Sequence, residues 1–267
     1  MNNAPRIDTD EPAARASSRR PRILVTLADP RPARDESAAR RRNELYLDAV
    51  RRAGGDPIGL DEACGAGDLA AALDVMDGLL LSGGTDLDPA LYGEGMRGSV
   101  GISRPRDDLD LAAWRAAERR GAPVLGICRG LQAINVFMGG RLVQHLDGHD
   151  ANGDASPRLH PLRVATGSRL ERIIAGALAG DGAGGDGLWL VNTFHHQGIR
   201  PADLAPGLAA AAFAPAADGE LVEAVEALDG RWLVGVQFHP ERTQTTPPAF
   251  EHVFAAFVEA ARRSRAS

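Results

Sequence analysis

The segment PVLGICRGLQAINVF, residues 123–137, constrains the fold more than any other stretch of this 267-residue chain. An apolar run at 124–127 passes into a helix-forming run, with Cys128 at the junction framed as G-x-C-x-G by Gly126 and Gly130. Small residues on both sides of one side chain tolerate a sharp, strained strand-to-helix turn, the nucleophile-elbow arrangement. Cys128 would project from that turn at the amino end of a helix, where the dipole favours a thiolate. The backbone N–H of Arg129 could then donate to an oxyanion. On the pentapeptide alone a second reading stays open, in which Cys128 is a small buried hydrophobe after a strand.

The rest of the chain supplies the strands and helices that such a turn needs. Residues 1–21 are Ala, Arg, Ser, Pro and acid with little apolar content, and they are expected to form a disordered tail. From residue 22 to 265 a single α/β domain is expected, opening with the continuous apolar run 23–27 of a strand buried on both faces. Tyr46, Ala49, Val50 and Ala53 fall at helical spacing, which predicts a helix over 37–53 ending at Gly54-Gly55. A buried strand at 78–82, a helix over 107–120 and a strand at 124–127 continue the alternation. Beyond Gly139-Gly140 short apolar runs at 188–194, 208–213, 221–225 and 232–238 make this half richer in strands. The glycine-rich segment 181–187 reads as a flexible surface loop, and a last amphipathic helix carries Phe250, Val253, Phe254, Phe257, Val258 and Ala261.

Charge and cysteine usage exclude several function classes. Thirty basic against 36 acidic residues give a net charge of −6, without a basic stripe to track a phosphate backbone, so nucleic acid is not an expected partner. No apolar stretch reaches the roughly 18 residues of a membrane helix or forms a signal peptide, and a cytoplasmic protein with no membrane partner is expected. Two cysteines, Cys64 and Cys128, allow at most one disulfide. Cys64, in EACGAG, has no strand ahead of it and no base nearby, and reads as a non-catalytic thiol.

A base for Cys128 is available near the end of the run WLVGVQF, where His239-Pro240-Glu241 follows. Residues two apart in an extended chain point to one side, so Glu241 could orient the imidazole while His239 takes the thiol proton and returns it to a leaving amine. An ordinary surface ion pair is the alternative for this pair taken alone. His195-His196-Gln197 follows another apolar run; neighbouring side chains diverge on a strand, making adjacent histidines a poor chelate for one metal, and no metal or other cofactor is expected. Asp86, Asp88, Asp107, Asp108 and Asp110 read as solvated or capping residues of a turn and a helix start.

Taken in order, LLLSGGTDLDPALYGE, RPRDDLDLAAWRAAERRGAPVLGICRGLQAINVFMGGRLVQHL, VNTFHHQGI, DGELVEAVE and GVQFHPE resemble the motifs of the γ-glutamyl-γ-aminobutyrate hydrolase group of the class I glutamine amidotransferases, peptidase family C26. The resemblance spans about residues 22–260. It implies a flavodoxin-like fold with a mostly parallel central sheet flanked by helices, and a triad of Cys128, His239 and Glu241. It further implies a second oxyanion donor at Gly84 beside that of Arg129 and a substrate-binding role for Gln132, while His196 and Gln197 are, from their own place after an apolar run, candidates to line the substrate pocket. The implied activity is hydrolysis of a small-molecule γ-glutamyl amide through a γ-glutamyl thioester, with a homodimer one assembly compatible with it. Two other readings are a glutaminase subunit that passes ammonia to a separate synthetase and a silent γ-glutamyl-binding domain. Phe238 stands where related sequences usually carry tryptophan before HPE, and Thr85 where a third glycine is frequent.

Overall fold

A computed structural model describes residues 19–146, 158–175, 188–217 and 219–265. The expected tail through residue 18 and the glycine-rich loop 181–187 lie outside the described residues. The last residues of the expected tail are tied down: Arg19 pairs with Asp77, and the carbonyl of Pro21 accepts from the N–H of Asp56.

Nine strands form one sheet among the described residues: β1 Arg22–Leu27, β2 Asp56–Asp61, β3 Gly78–Leu81, β4 Val124–Ile127, β5 Arg158–Val164, β6 Leu188–Thr193, β7 Leu208–Ala216, β8 Gly219–Ala227 and β9 Leu233–Val236. They lie in the order β2-β1-β3-β4-β9-β8-β7-β5-β6. The expectation of a mostly parallel sheet holds for one half only. The pairings β2-β1, β1-β3, β3-β4 and β4-β9 are parallel, whereas β9-β8, β8-β7, β7-β5 and β5-β6 are antiparallel. Connection length accounts for part of this: β7 and β8 are only two residues apart in sequence, too few for a parallel crossover, whereas β5 and β6 pair antiparallel although a helix, Arg169–Ala175, lies between them.

Among the described residues six helices cover the two faces: α1 Glu36–Arg52, α2 Ala66–Val75, α3 Arg104–Arg120, α4 Arg129–Phe137, α5 Arg169–Ala175 and α6 His252–Ser264. Side chains alternate across β1, so Ile23, Val25 and Leu27 join one apolar cluster with Tyr46, Ala49 and Val50 of α1, Leu170 of α5 and Phe254 and Phe257 of α6. Leu24 joins the opposite cluster with Ala72 of α2, Trp114 and Ala117 of α3, and Leu131 and Ile134 of α4. Sequence patterning placed β1, β3, β4, β9, α1, α3 and α6 to within a few residues, but not β2. Helix α3 begins earlier than expected because Ser103 caps it, accepting from the N–H of Arg106, and it ends at Gly121 in the left-handed conformation. No described helix is long and apolar enough to cross a membrane.

The topology positions the site. Strands β1, β3, β4 and β9 run the same way, so their carboxyl ends share one edge, and the order reverses between β1 and β3 because the chain first steps outward to β2. Crevices at such switch points are where open α/β sheets bind ligands.

Candidate active site

The segments leaving β1, β3, β4 and β9 meet in a cleft of about 750 Å³, lined by Asp29, Gly83, Gly84, Cys128 and His239 among others. Cys128 ends β4 with φ 53° and ψ −106°, the one positive φ outside glycine among the described residues. Its two framing glycines are required by close packing. A Cβ on Gly130 would fall 2.0 Å from the carbonyl oxygen of Leu81, and one on Gly126 would meet the backbone of Gly130 at 2.7 Å. Helix α4 can therefore seat directly on β3 and β4, which fixes the turn in its strained conformation and turns Cys128 into the cleft. The Cys128 N–H donates to the carbonyl of Val236 at 2.8 Å, locking this turn to β9.

His239 lies three residues past the end of β9 and lines the same cleft as Cys128. Its Nδ1 is 2.6 Å from Glu241 Oε1, and both side chains are buried. The His239-Pro240-Glu241 segment is a turn rather than the extended strand the sequence suggested, with the Arg242 N–H donating to the His239 carbonyl. The turn brings the carboxylate back under the ring. Burial by itself would lower the His239 pKa, but the negative charge of Glu241 and the neighbouring Cys128 outweigh it and raise the pKa to about 9.

Three residues that the sequence reading missed hold His239, two through its backbone and one at its ring. Asn192, on β6, accepts from the His239 N–H at 2.8 Å and donates to its carbonyl at 3.1 Å, and Thr246 donates to the same carbonyl at 2.9 Å. The Tyr46 hydroxyl lies 3.3 Å from His239 Nδ1 and accepts from the Gly83 N–H at 3.1 Å, bridging the imidazole to the glycine turn. Burial pushes the Tyr46 phenol well above its ordinary range, so it stays protonated. Tyr46 was legible only as an apolar helix position, and Asn192 only as a polar residue closing an apolar run.

Arg129 opens α4, so its N–H belongs to the first turn, whose N–H groups have no intrahelical acceptor. Gly84 is exposed on the cleft wall, with the Arg129 and Arg106 side chains behind it. Those arginines belong to a buried four-charge network. Arg129 pairs with Asp110 and, at 2.6 Å, with Asp107; Arg106 Nε donates to Asp110 at 3.1 Å and its terminal nitrogen to the carbonyls of Thr26 and Ser82. Asp107 and Asp110 are thus not solvated caps. Burial opposes the charge on Asp110, but the two guanidiniums prevail and lower its pKa; on Asp107 burial prevails and raises it. Asp88 does cap the short 3-10 turn Pro89–Tyr92 and Asp108 is exposed, while Asp86 accepts from the Val100 N–H and contacts His196.

Gln132, His196 and Gln197 do not line the cleft. Gln132 donates to the carbonyl of Gln197 at 3.1 Å and to the side chain of Gln237 at 3.2 Å. Gln197 donates to Ser99 Oγ at 2.8 Å, and His196 contacts Asp86 and His145. Phe238 is buried against Phe250, away from the cleft, whereas Thr85 lines it. Cys64 does follow a strand, β2, contrary to the sequence reading; burial raises its pKa, and it lies outside the cleft.

Known proteins resemble this chain along most of its length. A Mycobacterium tuberculosis protein named by inference as a glutamine amidotransferase is 36% identical over 206 residues, 74% of this chain and 61% of that protein, so less than two thirds of that relative is spanned. γ-Glutamyl-γ-aminobutyrate hydrolase PuuD of Escherichia coli K12 is 32% identical over 232 residues, 81% of this chain and 85% of the relative. Among solved structures, the glutaminase domain of Trypanosoma brucei CTPS with bound acivicin superposes with a TM-score of 0.61 at 18% identity, covering 91% of this chain and 94% of that one. That likeness is one of fold, a glutamine amidotransferase-like α/β domain. The pattern of the family described as Peptidase C26 matches residues 28–241, a span that runs from the cleft wall after β1 through Cys128 to Glu241, and this chain belongs to that family.

Proposed function

We propose that this protein hydrolyses γ-glutamyl amides, with Cys128 as nucleophile, His239 as general acid and base, and Glu241 as the group that orients the imidazole. The observation that carries the reading is that Cys128 and His239 line one cleft, with Glu241 Oε1 2.6 Å from His239 Nδ1. In the first step the Cys128 sulfur bonds to the γ-carbonyl carbon, His239 having taken the thiol proton. The carbonyl oxygen becomes an oxyanion beside the N–H groups of Arg129 and Gly84. The C–N bond then breaks as His239 protonates the departing amine, leaving a γ-glutamyl thioester. A water attacks this ester, gives its proton to His239, and glutamate leaves as the thiol is restored.

The cleft wall carries Arg42 and Arg242 as cations and Asp29 and Glu62 as anions. Charges of both signs suit a γ-glutamyl group, which bears both an ammonium and a carboxylate. The E. coli relative's name supports γ-glutamyl-γ-aminobutyrate as the first substrate to test. Purified protein is expected to release glutamate from γ-glutamyl-γ-aminobutyrate or a γ-glutamylated polyamine, and Cys128→Ala to lower the rate by a factor of at least about 10³. Glutamate release that survives in Cys128→Ala, or its absence from every γ-glutamyl amide tried, overturns the reading. Glutaminase activity that appears only with a co-purifying synthetase would instead favour an ammonia-delivering subunit.

A further inference from the structure

Outside the cleft, three buried side chains from separate strands of the antiparallel half converge: His160 on β5, His195 just past β6 and Glu223 on β8. One ligand atom of each lies within 4.8 Å of the other two. Strand β7 runs between β8 and β5 and carries only alanines at 209–212.

The hydrogen-bond geometry decides what the cluster can accept. His160 Nδ1 lies 3.0 Å from the carbonyl oxygen of Pro161, and His195 Nδ1 lies 2.8 Å from that of Gln197. A carbonyl oxygen only accepts, so each Nδ1 carries a hydrogen, and in the neutral form of either ring the lone pair is then at Nε2. Those Nε2 atoms face Glu223, at 3.6 Å from Oε2 and 3.7 Å from Oε1. Three electron-rich groups therefore point at one another at separations too long for N–H···O bonds. The Glu223 carboxylate is fully buried, and neither of its oxygens makes a hydrogen bond. An ionised carboxylate in that position is strongly destabilising unless a cation compensates it. One proton would satisfy one of these contacts; a divalent ion satisfies all of them.

We infer that His160, His195 and Glu223 form a binding site for a divalent ion of the zinc class. Two imidazoles and a carboxylate are an N/O donor set suited to zinc. Ligand atoms about 2.0–2.1 Å from a tetrahedral ion stand roughly 3.3–3.5 Å apart, so the two imidazole-to-carboxylate spacings of 3.6 and 3.7 Å close with shifts of a few tenths of an ångström. The Nδ1 bonds to backbone carbonyls are the outer contacts that orient ligating histidines and enrich their Nε2 lone pairs. His160, the most exposed of the three at 11% of its side chain, forms the entry edge.

The ion is structural and steadies the base from behind. The carbonyl of Glu223 accepts from the N–H of Gln237, two residues before His239, and the Gln197 carbonyl that orients His195 also accepts from Gln132 of α4. None of the three ligands lines the cleft. The inference is therefore independent of the reaction proposed for Cys128.

Cys128 and His239 could themselves capture zinc, so the measurement uses full-length Cys128→Ala protein stripped with EDTA and dialysed. Calorimetric titration with zinc sulfate is expected to give one equivalent bound, with a zinc-dependent rise in thermal midpoint. Cobalt in place of zinc should give visible d–d bands of an N/O site without a thiolate charge-transfer band. Glu223→Gln and His160→Asn, each in the same background, should weaken binding by at least about tenfold, the scale of losing a ligand or its support. Should Glu223→Gln fail to fold, His160→Asn at the rim decides alone. A midpoint insensitive to zinc, or a zinc effect of equal size in His160→Asn, overturns the assignment, and titration of Glu223 without zinc uptake identifies a proton-sharing cluster in its place.

Discussion

At Cys128 the backbone conformation and the proposed chemistry are one fact. A φ of 53° with ψ −106° lies in a region that glycine enters readily and other residues at a cost of about 1–3 kcal/mol. The fold tolerates this because Gly126 and Gly130 let α4 close against β3 and β4 behind the turn. The strain should be measurable once the thiol is gone. Cys128→Gly and Cys128→Ala are both expected to lack turnover, yet the glycine variant should resist denaturant better by about 1 kcal/mol, after allowance for the larger chain entropy glycine loses on folding. Equal midpoints in urea would mean that the turn stores no strain.

Elements became legible where burial and period agreed. The strands 23–27, 78–82 and 124–127 read clearly because a parallel strand covered on both faces is uniformly apolar. Strand β2 was not legible: DPIGLD has the composition of a turn, and none of its residues is fully buried at the sheet edge. Strand β5 hid behind Arg158, Arg163 and an internal Pro161, and α5 is only seven residues long. Helix α3 was found, but its inner face was misjudged. Arg106, Asp110, Ala113 and Ala117 fall at helical spacing on one buried face, and Asp110 was taken for a solvated cap because charge was weighed above period. The correction carries a contrast between two aspartates of one helix. Asp110→Asn leaves two buried guanidiniums short of a countercharge and should destabilise by about 3–5 kcal/mol. Asp108→Asn, on the exposed face two residues away, should stay within about 0.5 kcal/mol. Similar losses for both, read from urea midpoints, would refute the network's role in anchoring α4.

At the scale of the molecule, the sheet joins two buried titrating sites that respond to pH in the same direction. The elbow and the pairing of His239 with Glu241 were legible because each lies within a short stretch of chain, although the HPE segment is a turn where an extended chain was expected. The His160, His195 and Glu223 cluster was not, since its members are brought together only by the order β8-β7-β5-β6. Folding raises the His239 pKa from 6.5 to about 9 and, through burial, that of Glu223 from 4.5 to about 8. In each case the folded state holds a proton that the unfolded chain releases earlier. The stabilisation is therefore complete below the unfolded value and is lost as pH climbs through the folded one. For metal-free protein in EDTA the urea midpoint should fall between pH 6.5 and 9, at most by about 1.4 kcal/mol per pH unit for each titrating proton. Glu223→Gln should flatten the part of the fall below about pH 8 and leave the His239 limb in place. With zinc present the Glu223 contribution should reverse, because the ion competes with protons for the same lone pairs and binds better as they leave. A metal-free midpoint that rises from pH 6.5 to 9 would contradict the raised pKa of both groups.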